Sequence, residues 1–196
     1  YMGFTNATIL GIGTDATQFV GFSNYELIFT KDPVFIKSIA NTFIYTGLRV
    51  FFAIAVSLLF ALLLNTDIPG KKLFRTMIYL PAIITVVGSA LLWQLLFNYD
   101  MSIFNTFFNA LGLPSYNFLS YDHALFSVVF MSVWTGIGPT MVIILAALQG
   151  VPSEYIEAAK LDGAGVVRRF SFIVFPLISS SLIFLAITGV IGALQA

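Results

Sequence analysis

Cysteine is absent from this 196-residue chain, and histidine occurs once. Without a thiol there is no disulfide, no thiolate zinc site and no cysteine nucleophile. The single histidine, His123, lies beside Asp122 at a predicted membrane boundary; one imidazole cannot build a typical zinc site, and it reads as a boundary residue. Charge is scarce too: Asp, Glu, Lys and Arg make up 9% of the chain, against about 25% in a soluble domain. Nine basic and nine acidic side chains cancel to zero net charge, so no basic field favours nucleic acid. Internal repeats and low-complexity tracts are missing, and one domain covering 1–196 is expected. No signal peptide is expected in Tyr1 to Thr30, which is uncharged at its start and broken up by Gly, Asn and Thr. The first residue is Tyr rather than Met, which suggests a trimmed or fragmentary segment.

Apolar residues fill the space that charge leaves. They make up 59% of the chain, mean hydropathy is +0.96, and 21 Phe, 8 Tyr and 2 Trp are too many for one small aqueous core. They suit lipid-facing surfaces and interfacial belts. Four long apolar stretches, about 39–64, 73–97, 124–148 and 173–195, each approach the ~20 residues that cross a ~30 Å hydrocarbon layer. Helices are the form expected, since an isolated span must satisfy its own backbone and no barrel-like alternation occurs. The fold class predicted is therefore an all-α polytopic membrane protein.

Basic residues orient the spans. Lys71, Lys72 and Arg75 follow the first stretch, Lys160, Arg168 and Arg169 follow the third, and the connection from Asn98 to His123 has no Lys or Arg. The positive-inside rule makes the first and third connections cytoplasmic and puts Tyr1 to Ser38 and Asn98 to His123 outside, with Lys31 and Lys37 weakening the contrast slightly. The outer connection has the turn residues of a short folded excursion in Asn98, Asp100, Asn105, Asn109, Pro114 and Asn117.

The third connection, about 149–172, holds the most specific pattern. Pro152 suits a helix start, Ser153 can cap it, and Glu154 and Glu157 lie in its first turns, where the helix dipole favours anions. That helix is expected to reach Leu161. Gly163 and Gly165 supply a reversal, after which Val166, Val167, Phe170 and Ile173 return at helical spacing. Ala158 and Ala159 offer a small-residue surface for another protein, and Pro176 is expected to separate the second short helix from the last span.

Glu157-Ala158-Ala159, Gly163 after three further residues, and Ile173-x-Phe175-Pro176 after nine more resemble the EAA loop of binding-protein-dependent ABC importer permeases. Phe175 stands where that family usually has Leu. The resemblance covers nearly all of the chain, through Phe19-Val-Gly-Phe-Ser-Asn-Tyr25, Asn41-Thr42, Leu62-Leu-Leu-Asn65, Phe74-Arg75-Thr76, Leu80-Pro81, Trp93 with Leu96-Phe97-Asn98, and Val133-Trp134-x-Gly136. It is closest to members that import sugars, similar to maltose and glycerol-phosphate permeases. Such permeases usually have six spans, and Tyr1 to Asn6 resembles the end of their first. The four stretches then correspond to the second to fifth.

The resemblance implies an inner-membrane, multi-pass subunit that translocates a solute brought by an extracytoplasmic binding protein. A second permease, identical or different, and a cytoplasmic ATPase dimer that uses ATP and Mg are the implied partners. Glu157, Ala158, Ala159, Asp162 and Gly163 would couple to that ATPase. Ser132, Thr135, Gly136 and Pro139, around the Trp-x-Gly turn, would line the sugar path, as would Gly189, Ala193 and Gln195 at the end of the last span. No cofactor is expected on this chain, because Gly70-Lys71-Lys72 lacks the upstream Gly and following Ser or Thr of a P-loop.

Two features stay open on residues alone. Arg49, about ten residues inside the first stretch, either stabilises the bundle interior or contacts an anionic solute, since a charge there costs at least ~2.5 kcal/mol on insertion scales. The Gly, Gly and Pro of Trp134 to Pro139 either interrupt the third span to line a cavity or merely kink it. Asn6-Ala-Thr8 fits a glycosylation sequon, a short match that a bacterial-type importer would not use. An ion-coupled secondary transporter is the alternative, but Asp67, Asp100 and Asp122 lie at span edges and no Glu is intramembrane. A membrane enzyme would need convergent catalytic groups that the sequence does not supply.

The predicted topology is directly testable. Single cysteines at Ser115 and Ser153 are expected to react with an impermeant maleimide from opposite sides, Ser115 from outside, and labelling of both from one side would contradict four spans.

Overall fold

A computed structural model describes residues 4–5, 18–99 and 102–195. The Asn6-Ala-Thr8 triplet, Asp100 and most of Tyr1 to Asn6 lie outside them. The regular elements among the described residues are all helices, with one isolated bridge between Thr5 and Phe19. Packing divides the chain into two units, Tyr1–Ile44 and Tyr45–Ala196.

In the first unit, α1 (Ser23–Lys31) is followed by the start of α2 (Pro33–Leu64). The Asp32 carboxylate accepts from Val34 N at 2.9 Å and Phe35 N at 3.1 Å, satisfying amides that the first turn of α2 leaves free. The long helix thus begins at Pro33 rather than near Ile39, and Lys37 lies within it.

The second unit contains the rest of α2, then α3 (Lys71–Tyr79), a 3-10 turn (Leu80–Ile83), α4 (Val86–Phe97), α5 (Ile103–Ala110) and α6 (Ala124–Gln149). After these come α7 (Ser153–Leu161), α8 (Val166–Arg169), a π-helical turn (Phe170–Val174) and α9 (Phe175–Leu194). Its core is a three-helix seam of Ala61 and Leu64 from α2, Met141, Ile144, Leu145 and Leu148 from α6, and Ile178 and Leu185 from α9. The α6 members recur at i, i+3, i+4 and i+7, so one face of a mainly apolar helix is buried. Many large apolar residues remain exposed, among them Phe51, Leu59, Ile183, Phe184 and Ile187. Water would not tolerate so much contiguous apolar surface, whereas lipid and partner helices would. The chain is a multi-pass membrane protein.

α2, α6 and the Val166–Leu194 column are each long and apolar enough to cross the bilayer. The stretch expected as one span over 73–97 is instead two helices, bent by 99° between Ile83 and Val86. Pro81 confines the turn before the break, and the Thr85 hydroxyl accepts from Gly88 N at 3.2 Å to cap α4. The last span differs in the other direction. Pro176 does not separate it from α8, because Val166–Leu194 runs on as one helical column. The Phe175 amide reaches back five residues to the Phe170 carbonyl. That wide turn absorbs the register change where Pro176, at the start of α9, has no N–H to give.

The expected interruption of the third span is also absent: α6 passes unbroken through Pro139. Ser57, fully buried on α2, donates to the Ile137 carbonyl at 3.0 Å. The connection between α4 and α6 is the expected folded excursion. Buried Asn105 ties it together, donating to the Tyr99 and Tyr116 carbonyls and accepting from Tyr116 N at 2.8 Å. Above the core, Trp93 meets Trp134 edge-on at 5.4 Å and Phe130 at 5.3 Å.

Among the described glycines, Gly138 makes the closest approach to another backbone. A Cβ on Gly138 would stand 2.7 Å from Tyr79 Cα and 2.9 Å from the Ile78 carbonyl oxygen, where no side chain can give way. At Gly136, two residues away and on another face, a Cβ would meet nothing within 4 Å. Gly138→Ala is therefore expected to cost about 1–3 kcal/mol as overpacking and to lower the melting temperature in detergent, with Gly136→Ala unchanged. Equal melting of the two variants would mean that α6 and α3 are not in backbone contact.

Candidate functional site

A cavity of ≈ 540 Å³ among aromatic rings and one of ≈ 590 Å³ along α2 and α6 have almost wholly apolar walls. A third, of ≈ 480 Å³, is different in kind. Tyr45 and Arg49 enter it from α2, Pro81, Ala82, Ile84, Val86 and Ser89 from the broken span, and Val128, Met131, Ser132, Thr135 and Pro139 from α6. The bend at Ile83–Val86 thus puts non-helical backbone against a cavity, the setting in which such backbone is tolerated at membrane depth.

Its polar groups are few and defined. Tyr45 Oη and Ser132 Oγ form a 2.8 Å hydrogen bond across the cavity wall. Thr135 bonds back to the Ser132 carbonyl at 3.0 Å, and Pro139 has no N–H for the Thr135 carbonyl one turn earlier. Arg49 Cζ lies 5.9 Å from the Tyr45 ring centre, within cation–π range. A buried guanidinium nitrogen of Arg49 and the buried Ser89 hydroxyl have no hydrogen-bond partner among the described residues. Among the described residues on the wall, Arg49 alone is formally charged.

Of the path candidates, Ser132, Thr135 and Pro139 come together here with Arg49. Gly136 is half-buried beside them on α6 and is not part of the wall. Gly189 lies against Val50, whose methyl would be 3.2 Å from an added Cβ, Ala193 is buried, and Gln195 is exposed at the end of α9. The last three are not gathered into this cavity. Tyr45, Ser89 and the Pro81–Val86 bend were not anticipated. Tyr45 is four residues before Arg49 on the same helix face, and Pro81 followed by Thr85-x-x-Gly88 is a stop signal and a cap in sequence.

The second candidate site follows the other end of α6. Pro152, extended at φ −60° and ψ 132°, precedes α7. Ser153 is the first helical residue and makes no cap bond, so the expected cap is not formed. Glu154 in the first turn and Lys160 in the last both complement the helix dipole. The C-terminus is a Schellman turn. Gly163 has φ +76°, its amide donates to the Lys160 carbonyl at 3.0 Å, and the Ala164 amide donates to the Ala159 carbonyl at 2.9 Å. Gly165 is extended at φ −66° and needs no such freedom. Arg169 reaches back from α8 and donates to the Ala164 carbonyl at 2.7 Å, clamping the reversal.

Ile156 anchors the underside of α7 by a ≈ 170 Å³ cavity that it shares with Leu62, Asn65, Leu148 and Phe170. Outward, Glu157, Ala158, Asp162 and Gly163 are exposed, with Ala159 half-buried. Tyr155, Leu161, Val166 and Val167 add exposed apolar surface, Leu161 at 90%. The arrangement is a short rigid helix, tied at both ends, with a small-residue and carboxylate face free for another protein.

Residues 34–196 match the family model described as binding-protein-dependent transport system inner membrane component. The chain is 34% identical over 178 residues to the sn-glycerol-3-phosphate transport system permease protein UgpA of Pectobacterium atrosepticum, covering 91% of this chain and 60% of that protein. It is 36% identical over 183 residues to the arabinooligosaccharides transport system permease protein AraP of Halalkalibacterium halodurans, covering 90% of this chain and 56% of that one. It thus spans about three fifths of such relatives. A crystal structure of a bacterial ABC transporter involved in import of the acidic polysaccharide alginate superposes with TM-score 0.81 at 24% identity, over 91% of this chain and 63% of the other. A second alginate ABC transporter structure, in complex with alginate pentasaccharide-bound periplasmic protein, gives 0.78 at 25% identity, over 86% and 59%. With the family match running through both candidate sites, the chain belongs to the binding-protein-dependent transport system inner membrane components.

Proposed function

We propose that this chain is the translocation subunit of an ATP-binding-cassette importer, carrying a sugar or sugar-like solute delivered by an extracytoplasmic binding protein. The observation that carries the reading is the pairing of the two sites on one helix. α6 walls the polar cavity with Ser132, Thr135 and Pro139, then leads directly into the exposed Glu157 to Gly163 turn. In this reading the turn lies on the cytoplasmic side and docks in a cleft of an ATPase dimer. ATP and Mg belong to that dimer, and catalysis is not this chain's task. A second permease subunit completes the pathway, and the whole assembly lies in the inner membrane.

Force reaches the cavity by short, stiff routes. Closure of the ATPases displaces α7, which is fixed to α6 through Pro152 and to α8 through the Schellman turn and Arg169. α8 continues into a column of 29 residues, about 43 Å long at 1.5 Å per residue. A shift at the loop therefore moves α6 and α9 together, and with them the cavity wall. The glycerol-phosphate and arabinooligosaccharide permease names of UgpA and AraP and the binding-protein complex of the alginate neighbour support the solute class and the delivery step.

Charge reversal at Glu157 and a side chain at Gly163 test the docking face. Nothing lies within 4 Å of a Cβ on Gly163, so Asp there meets no clash; strain at positive φ costs about 1–2 kcal/mol, and a carboxylate is added to the docking face. Glu157→Lys and Gly163→Asp are each expected to abolish ATP-driven uptake and weaken pull-down of the ATPase, while membrane insertion is retained. Full uptake with full ATPase association in both variants would remove the coupling role.

A further inference from the structure

We infer that the transported solute carries an oxyanion, a carboxylate or a phosphate, held during transit by Arg49 with Ser89 and the Tyr45–Ser132 pair. The inference rests on reading the cavity as the transport path. It begins with an imbalance. Arg49 lies midway along α2 and, among the described residues, has a buried guanidinium nitrogen with no hydrogen-bond partner and shares its cavity with no Asp or Glu. An arginine at this depth is costly unless something compensates it, and the Tyr45 ring at 5.9 Å supplies only a partial counter-charge.

The surrounding donors have the same preference. Ser89 Oγ is buried without a partner, and the 2.8 Å Tyr45–Ser132 bond uses one hydroxyl proton of the two, leaving the other free to turn toward the cavity. A planar guanidinium fork with hydroxyls beside it matches two oxygens of a carboxylate or phosphate. A neutral sugar presents no such group. The apolar neighbours Ile84, Val86 and Val128 keep the surroundings low in dielectric and strengthen the pairing. One arginine without a second cation also allows release, which a fully enclosed anion cage would oppose.

The test uses the complete importer with its binding protein in proteoliposomes. Stimulated ATP hydrolysis and uptake are compared for sn-glycerol 3-phosphate, an alginate trisaccharide and neutral arabinotriose. A charged probe is expected to be transported and arabinotriose not, and which charged probe works separates phosphate from carboxylate. Arg49→Gln is expected to lower uptake of that probe by about tenfold or more, with binding to the solute-binding protein unchanged and partial recovery in Arg49→Lys. Transport of arabinotriose alone, of no charged probe, or of a charged probe at full rate by Arg49→Gln would overturn the inference. So would loss of the second permease subunit from the Arg49→Gln complex accompanied by neutral-probe transport in the wild type, since Arg49 would then be an interface group. Should that variant fail to assemble, the wild-type choice among the three probes decides. Arabinotriose uptake that Gly163→Asp abolishes would leave the importer standing and remove only the anion, whereas uptake without ATP would remove the importer reading itself.

Discussion

Hydrocarbon offers no partner to a peptide N–H or C=O, and each part of this fold answers that demand. α2, α6 and the Val166–Leu194 column answer it with unbroken helical bonding, even where proline should interfere. At Pro176 a π turn shifts the register before the missing donor, and at Pro139 the Thr135 carbonyl that loses its donor lies on the cavity wall. The bend at Ile83–Val86 is the one place in the described spans where the helix gives way, and there a cavity and the Thr85 cap receive the freed groups. The site therefore follows from the break. A continuous helix over the same residues would leave no opening for Ser89 to face.

Long apolar runs made α2, α6 and α9 legible, because hydropathy averaged over a span is insensitive to local geometry. The same averaging concealed the bend. Lys71–Phe97 has the composition of one span, and only Pro81 and the Thr85-x-x-Gly88 cap, both short signals, mark where it divides. Pro176 misled in the opposite sense. Proline ends a helix when its lost donor must be compensated, and a π turn, a tertiary accommodation with no sequence marker of its own, compensates it here.

The two sites were legible to different degrees for a similar reason. The α7 turn is local, so Gly163 could be placed from its spacing alone, while Gly165 beside it proved ordinary. The cavity is assembled from α2, α6 and the broken span, and spacing along one helix cannot say which face meets a neighbour. Ser132, Thr135 and Pro139 converge with Arg49, but Gly136 points elsewhere and Gly138 makes the contact. Extending the buried stripe of Leu148, Leu145 and Met141 upward by one turn would have reached Gly138.

That glycine contact has a mechanical consequence. Packed side chains can slip past one another by changing rotamers, so most helix interfaces shear in small steps. Where Gly138 rests on the backbone of Ile78 and Tyr79, no rotamers exist to change and no gap remains to close. The approach of α6 to α3 is limited there by backbone atoms. In the transport cycle proposed above, this contact would be a fixed point of α6, set between the loop end and the wall residues Thr135 and Ser132.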